Sequence, residues 1–208
     1  MIYELALIMD ASVNDEKATS ITDVVKEVVE EAKGEVLVSD DWGTINFAQP
    51  FAKGVKKGRY LYFIFKSETD VNNELLRRFK IDEAVVRSMV FRLGPEAKQA
   101  EIVKKYKTPF SKKYNGSVLD EVNEEGRSDV DKDRKNFVRR KTCWFTAKSI
   151  HADWKDPATF IWLVNEFGKI SPARITGITR KHQTCATMAI KRARQMGIVD
   201  HMSNAVAQ

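Results

Sequence analysis

Two nearly continuous apolar runs constrain this chain more than any other feature. Tyr3 to Met9 is apolar at every position except Glu4, and Tyr60 to Phe65 is six apolar or aromatic residues in a row. Such runs are too short for a core helix and too continuous for a half-solvated strand, so both read as buried, central strands. Their surroundings have a different period. From Ala18 to Ala32 the apolar residues fall at 21, 24, 25, 28, 29 and 32, with Lys and Glu between them. That spacing predicts an amphipathic helix, capped by Val13-Asn14-Asp15 and ended by Gly34 in the left-handed position. Glu35 to about Gln49 reads as an extended strand made irregular by Gly43, and residues 50–58 as a hairpin loop. Val71 to Phe79, carrying Leu75 and Leu76, reads as a second helix, and Ala84 to Leu93 as a last strand.

The predicted order is βαββαβ. This is the split, ferredoxin-like arrangement, with two helices on one face of a four-stranded antiparallel sheet. Gly94-Pro95 ends it, so the first domain spans residues 1–94. The same topology underlies an RNA-stacking sheet, and Lys57-Gly58-Arg59-Tyr60 superficially fits one. Arg59 stands where an aromatic is required, and the first strand offers only Tyr3, so these aromatics read instead as core and protein-docking surface.

Charge divides the rest. Residues 1–94 hold 13 Lys/Arg and 16 Asp/Glu, a net of −3; residues 95–134 hold 9 of each; residues 135–208 hold 13 against 4, a net of +9. All the excess positive charge of this chain therefore lies in its last third, which implies a separate part that meets a polyanion. Residues 95–134 include a dense charge run and few apolar residues after Asn115-Gly116, and read as a charged linker. If flexible, it reaches roughly 35 Å. Residues 135–208 read as a small, mostly α-helical, basic domain, making the whole chain α+β. Trp154-Lys155-Asp156-Pro157 marks a helix start, with Asp156 as cap and Pro157 in the first turn. Phe160, Ile161, Leu163, Val164 and Phe167 would be its buried side, and Gly168 its end.

The clearest binding signal is the following helix. At about 100° per residue, His182, Cys185, Ala186, Ala189, Ile190, Ala193 and Met196 share one arc, and Arg180, Lys181, Lys191, Arg192 and Arg194 the other. No acidic residue occurs from Arg174 to Val199. A face carrying only positive charge repels itself unless a polyanion covers it. The candidate RNA-binding residues are therefore Arg139, Arg140, Lys141, Arg174, Arg180, Lys181, Lys191, Arg192 and Arg194. Trp144 and Phe145 are read equally as base-stacking residues or as core.

Two resemblances sharpen this reading. Tyr3-Glu4, Phe47-Ala48-Gln49-Pro50, Gly58-Arg59-Tyr60 and the run Arg77 to Met89 resemble, in order and spacing, bacterial small-subunit ribosomal protein six over about residues 1–93. Arg139-Arg140-Lys141-Thr142-Cys143, Trp154-Lys155-Asp156, the run Gly168 to Gly177, Lys181-His182-Gln183 and Ala189 to Arg194 resemble small-subunit ribosomal protein eighteen over about residues 135–200. The chain departs from the second family at Ala173, where a second Arg is usual. The resemblance implies a fusion of two ribosomal proteins that pair, bind the central domain of small-subunit ribosomal RNA, and sit on the platform beside neighbouring ribosomal proteins. Some members of the second family bind zinc. The four positions fall here on Cys143, Thr146, Thr179 and His182, and two threonines are poor zinc ligands, so no metal or other cofactor is expected.

Other classes fit less well. The three histidines, 151, 182 and 201, form no nucleophile–base pattern, and no Gly-rich phosphate loop is present, so the chain does not read as an enzyme. No apolar run approaches the ~18 residues of a membrane span. The two cysteines give no disulfide framework, and the start Met-Ile-Tyr-Glu lacks targeting features, so a cytoplasmic, ribosomal location is expected. The remaining alternatives are a translational regulator acting on a messenger RNA and an adaptor whose basic face meets an acidic protein.

Overall fold

The structure, a computed structural model, describes residues 1–51, 54–68, 70–109 and 142–202. The chain divides into two compact units, Met1–Ser111 and Lys112–Gln208.

The first unit has the βαββαβ order read from the sequence: β1 (Ile2–Asp10), α1 (Asp15–Glu31), β2 (Glu35–Asn46), β3 (Lys57–Lys66), α2 (Asp70–Ile81) and β4 (Val85–Gly94). The strand order is β2-β3-β1-β4, antiparallel throughout. The two continuous apolar runs therefore occupy the two inner strands, where neither edge nor face meets water. Alternation along each strand sends Tyr3, Leu5, Leu7 and Met9 of β1, with Leu61, Phe63 and Phe65 of β3, to one face. There they pack against Ile21, Val25, Val28 and Val29 of α1 and Val71, Leu75 and Phe79 of α2. Each such side chain contributes about 1.5–3 kcal/mol by leaving water.

The opposite face is aromatic. Trp42 stacks on Tyr60 and Tyr62 at 6.0 and 5.1 Å between centroids. Glu4, the polar exception in β1, is buried and accepts a hydrogen bond of 2.6 Å from the Tyr62 hydroxyl, which satisfies a group that would be costly to bury alone. Residues 96–106, assigned to the linker from sequence, form a 3-10 turn (Glu96–Lys98) and α3 (Gln99–Lys105). Their end is anchored: the Tyr106 ring lies flat on Tyr62 at 4.9 Å and 3°. Its hydroxyl donates to Asp40 Oδ2 at 2.5 Å and accepts from Trp42 Nε1 at 3.0 Å. Most of the remaining expected linker lies outside the described residues.

Helix α1 ends differently from expectation. Lys33, not Gly34, takes the left-handed conformation, with φ of 55°, while the amides of Lys33 and Gly34 bond back to Glu30 and Val29. This is the Schellman closure with the special residue one place earlier. Gly34 is needed for a different reason. A Cβ there would lie 2.5 Å from the Lys66 carbonyl oxygen and 2.8 Å from Val29 Cγ1.

The second unit consists of short pieces and one long helix: α4 (Trp144–Ala147), 3-10 turns at Pro157–Thr159 and Ile161–Leu163, α5 (Ala173–Thr176) and α6 (Arg180–Gln195). The α-helix expected after Asp156 is replaced by the two 3-10 turns. Asp156 does cap the first, its side chain accepting from the Ala158 amide at 3.2 Å. Phe160 then leaves helical geometry at φ −140°, ψ −7°, in a run of aromatic and β-branched residues with weak helical preference. Phe160 and Leu163 are buried, but Phe167 is 61% exposed. It belongs to a tight turn closed by the bridge between Val164 and Ile170.

Candidate nucleic-acid interface

Helix α6 is amphipathic in the expected sense. Ala186, Ala189, Ile190, Ala193 and Met196 are buried, and their i, i+3, i+4 and i+7 spacing explains why one stripe of this helix leaves water. Small alanines at three of these positions let the helix approach its neighbours closely. Arg180, Lys181 and Lys191 are exposed, while Arg192 and Arg194 are half-buried. Arg174 is exposed on the short α5 just upstream. Cys185 departs from the wheel: it is exposed rather than on the apolar side, beside Met188, which is also exposed. The apolar stripe is therefore narrower than the arc expected from sequence.

The charge on this helix conflicts with its dipole at one end. No acidic residue occupies the first turn, and Arg180 and Lys181 stand there instead. Cations at a helix N-terminus each cost about 0.3–1 kcal/mol, a cost removed if an anion binds among them. Among the described residues, Arg174, Arg180, Lys181 and Lys191 form no ion pair, whereas Lys155 pairs with Asp153 at 3.2 Å.

Arg194 behaves differently from the other cations. Its Nε donates to the Asp200 carbonyl at 3.1 Å, and its Nη2 donates to the Gly168 carbonyl. Burial pushes its guanidinium below the usual value. The side chain thus ties α6 to the turn before α5. Arg139, Arg140 and Lys141 lie outside the described residues.

Of the two aromatics considered for stacking, Phe145 is buried core. Its ring meets Trp162 at 5.9 Å and His182 at 5.4 Å. Trp144 is half-buried, edge-on to Phe145 at 5.1 Å, with Lys148 Nζ 5.2 Å from its ring centre.

Cys143, Thr146, Thr179 and His182 converge in the fold. Cys143 Sγ lies 3.1 Å from His182 Nδ1 and accepts from the Thr179 amide at 3.4 Å. Thr179 Oγ1 lies 3.0 Å from the same His182 nitrogen, and Thr146 adds backbone and side-chain hydrogen bonds to the thiol. Burial raises the thiol's proton affinity, but the hydrogen bonds from Thr179, Thr146 and His182 together outweigh it and bring Cys143 down to about 6. One thiol, one imidazole and two hydroxyls do not fit the four strong donors of a structural zinc site. The hydroxyls instead complete a hydrogen-bonded cluster around the thiol.

The sequence reading missed two features of this surface. Lys169 is exposed in the turn tied down by Arg194; its place inside a matched motif was the available signal. Phe167 was placed in a core by helical spacing that the chain does not adopt.

Comparison with known proteins gives a match for each part of the chain. The family model for Ribosomal protein S6 matches residues 2–92, and that for Ribosomal protein S18 matches residues 148–199. Small ribosomal subunit protein bS18 of Syntrophobacter fumaroxidans is 46% identical over 69 residues, covering 33% of this chain and 85% of that protein. The bS18 protein of Geotalea uraniireducens is 45% identical over 74 residues, covering 35% and 81%. The crystal structure of 30S ribosomal protein S6 from Thermotoga maritima is 24% identical, with a TM-score of 0.44, covering 50% of this chain and 97% of that one. The chain is thus a non-enzymatic, structural protein of the small ribosomal subunit. More particularly, its C-terminal part belongs to the S18 family, and its N-terminal part matches the Ribosomal protein S6 model, so the two matches lie side by side in one polypeptide. Among the described residues, no helix is long and apolar enough to cross a membrane.

Proposed function

We propose that this chain binds the central domain of small-subunit ribosomal RNA at the platform as a covalently tethered pair of ribosomal proteins. The basic C-terminal part provides the phosphate contacts, through Arg174, Arg180, Lys181, Lys191 and Arg192, with Arg139, Arg140 and Lys141 joining them from the basic run upstream. Arg194 serves mainly to hold the turn below α6. The acidic N-terminal part is the protein-docking half, and the residues between the two act as the tether. The observation that carries this reading is the bipolar α6, whose exposed cations meet no acidic residue on their own helix. Tethering raises the effective concentration of one half for the other into the mM range for a well-matched linker, and fixes their stoichiometry at one to one.

The test is binding of the full chain to a transcript of the central domain across a salt series. Contact with five or more phosphates gives a slope of log K against log salt of about −3.5 or steeper. A slope near zero would overturn the RNA reading. Co-sedimentation of the chain with small subunits, in equal amount with their other proteins, tests the ribosomal placement. Tight binding to one messenger with absence from subunits would favour a regulator instead.

A further inference from the structure

Among the described residues of the second unit, the most exposed of the Phe, Trp and Tyr side chains is Phe167, at 61%. Exposure alone is unremarkable for one apolar side chain; its mounting is not. The turn that presents it is held by a set of hydrogen bonds centred on Asn165. Asn165 Oδ1 accepts from the amides of Phe167 and Lys169 at 3.1 and 2.7 Å. The Gly168 amide bonds to the Asn165 carbonyl at 2.9 Å, and the Asn165 amide to the Lys169 carbonyl at 2.9 Å. Gly168 takes φ of 76°, which a side chain would resist, and its carbonyl is held by Arg194 of α6. Ser171 N closes the base of the hairpin on the Leu163 carbonyl at 2.7 Å.

A flexible loop would let a phenyl ring fold back onto the protein. This turn holds it out, two residues from the exposed Lys169, and Arg194 ties the turn to α6, the helix that also carries Lys191 and Arg192. A rigid aromatic beside cations that track a phosphate backbone is the arrangement by which proteins hold unpaired bases. Glu166, its neighbour in the turn, is exposed and negative, so attraction to phosphate does not explain an aromatic at this point, whereas stacking does.

We propose that Phe167 is a base-stacking residue: its ring packs on an unpaired nucleobase of the RNA whose phosphates meet α6. The proposal rests on the RNA reading above and assigns a contact within it. Arg194 and Asn165 are then positioning residues that fix the ring's direction.

The experiment measures binding of the full chain, wild type and variants, to the central-domain transcript. Phe167→Ala weakens binding by about 5- to 100-fold, with the salt slope unchanged because no phosphate contact is lost. Phe167→Trp stays within about threefold of wild type, since any flat ring can stack. A second measurement uses wild-type protein alone: ultraviolet cross-linking to thiouridine-substituted transcript places a cross-link on the peptide containing Phe167. Wild-type affinity in Phe167→Ala, together with no cross-link on that peptide, would overturn the proposal while leaving the phosphate-binding face intact. Wild-type RNA affinity with weakened co-sedimentation of Phe167→Ala would also overturn it, assigning the ring to a neighbouring protein. If the wild-type chain shows no salt-dependent binding, the RNA reading itself fails, and the stacking role with it.

Discussion

Replacing Arg194 by Gln removes a fork that joins three pieces of the second unit: α6, the Gly168 turn and the segment at Asp200. Two charge-assisted hydrogen bonds to carbonyls are lost. Each is worth about 1.5–3 kcal/mol when buried, but the side chain is only half-buried, so water screens part of this and repairs part of the loss. A net cost of about 2 kcal/mol follows. For a unit of this size that lowers the melting temperature by roughly 8–16 °C. Tryptophan fluorescence is a suitable probe, because Trp144, Trp154 and Trp162 lie in the second unit and only Trp42 in the first. Lys191→Gln is the complementary perturbation. Lys191 is exposed and makes no ion pair among the described residues, so its loss leaves the melt unchanged and flattens the salt slope of RNA binding by about 0.7–0.9. Arg194→Gln does the opposite. A variant at Arg194 that melts like wild type and flattens the slope would refute the division of these cations into clamps and phosphate contacts.

Other expectations follow from the clusters described above. Cys143 ionises at about 6 in the folded chain against an ordinary 9.0, so the unfolded state binds the extra proton between these values. Stability in urea therefore rises from about pH 6 to pH 9 and is lost as pH falls through 6; Cys143→Ala flattens that dependence, and an unchanged profile would contradict the hydrogen-bonded thiolate. Thr146→Cys combined with Thr179→Cys supplies two more thiolates around Cys143 and His182, and the doubly substituted chain takes up one zinc or cobalt per molecule, read from the thiolate–cobalt absorption, where wild type does not. Tyr106→Phe keeps the stack on Tyr62 but removes the bonds to Asp40 and Trp42. It costs about 1–2 kcal/mol and speeds amide exchange through α3; equal exchange rates would show that α3 is not held by that hydroxyl.

The parts of the fold legible in the sequence were those in which one physical effect dominates. Continuous apolar runs can satisfy themselves only as inner strands, and the stripe Ala186, Ala189, Ile190, Ala193 only as a buried helical face. The failures occurred where two effects compete. Phe160 to Phe167 has apolar residues at helical spacing, yet its β-branched and aromatic side chains and the competing side chain of Asn165 favour 3-10 turns and a hairpin. The spacing then pointed Phe167 inward when the chain holds it outward. Gly34 was read as a conformational necessity, whereas its backbone packs too closely on Lys66 for any side chain. For Arg194, wheel position indicated solvent, but a long side chain at the edge of a helix can turn back to carbonyls that no sequence pattern reveals. Cys143 and His182, 39 residues apart, were brought together by resemblance rather than by any local signal.

The distribution of ion pairs gives the charge imbalance a physical meaning. In the first unit, cations are matched within the fold. Arg59 bonds to Asp15 and Asp41, Arg77 and Arg78 both bond to Glu74 and hold its carboxyl down at about 2, and Lys17 pairs with Asp82. Its excess of acid is left facing solvent, and a polyanion repels it. In the second unit the acids are few, and, among the described residues, Arg174, Arg180, Lys181 and Lys191 form no ion pair, so these four remain for an outside anion. On the proposed reading, a chain with its charges divided in this way meets RNA in one orientation. The basic half is drawn in and the acidic half is turned away, toward the protein neighbours it would dock against. As separate proteins the acidic half would have to find its site against that repulsion. Joined to the basic half, on the same reading, it would arrive with a partner already bound, and the tether would replace a bimolecular search made unfavourable by charge with a local one.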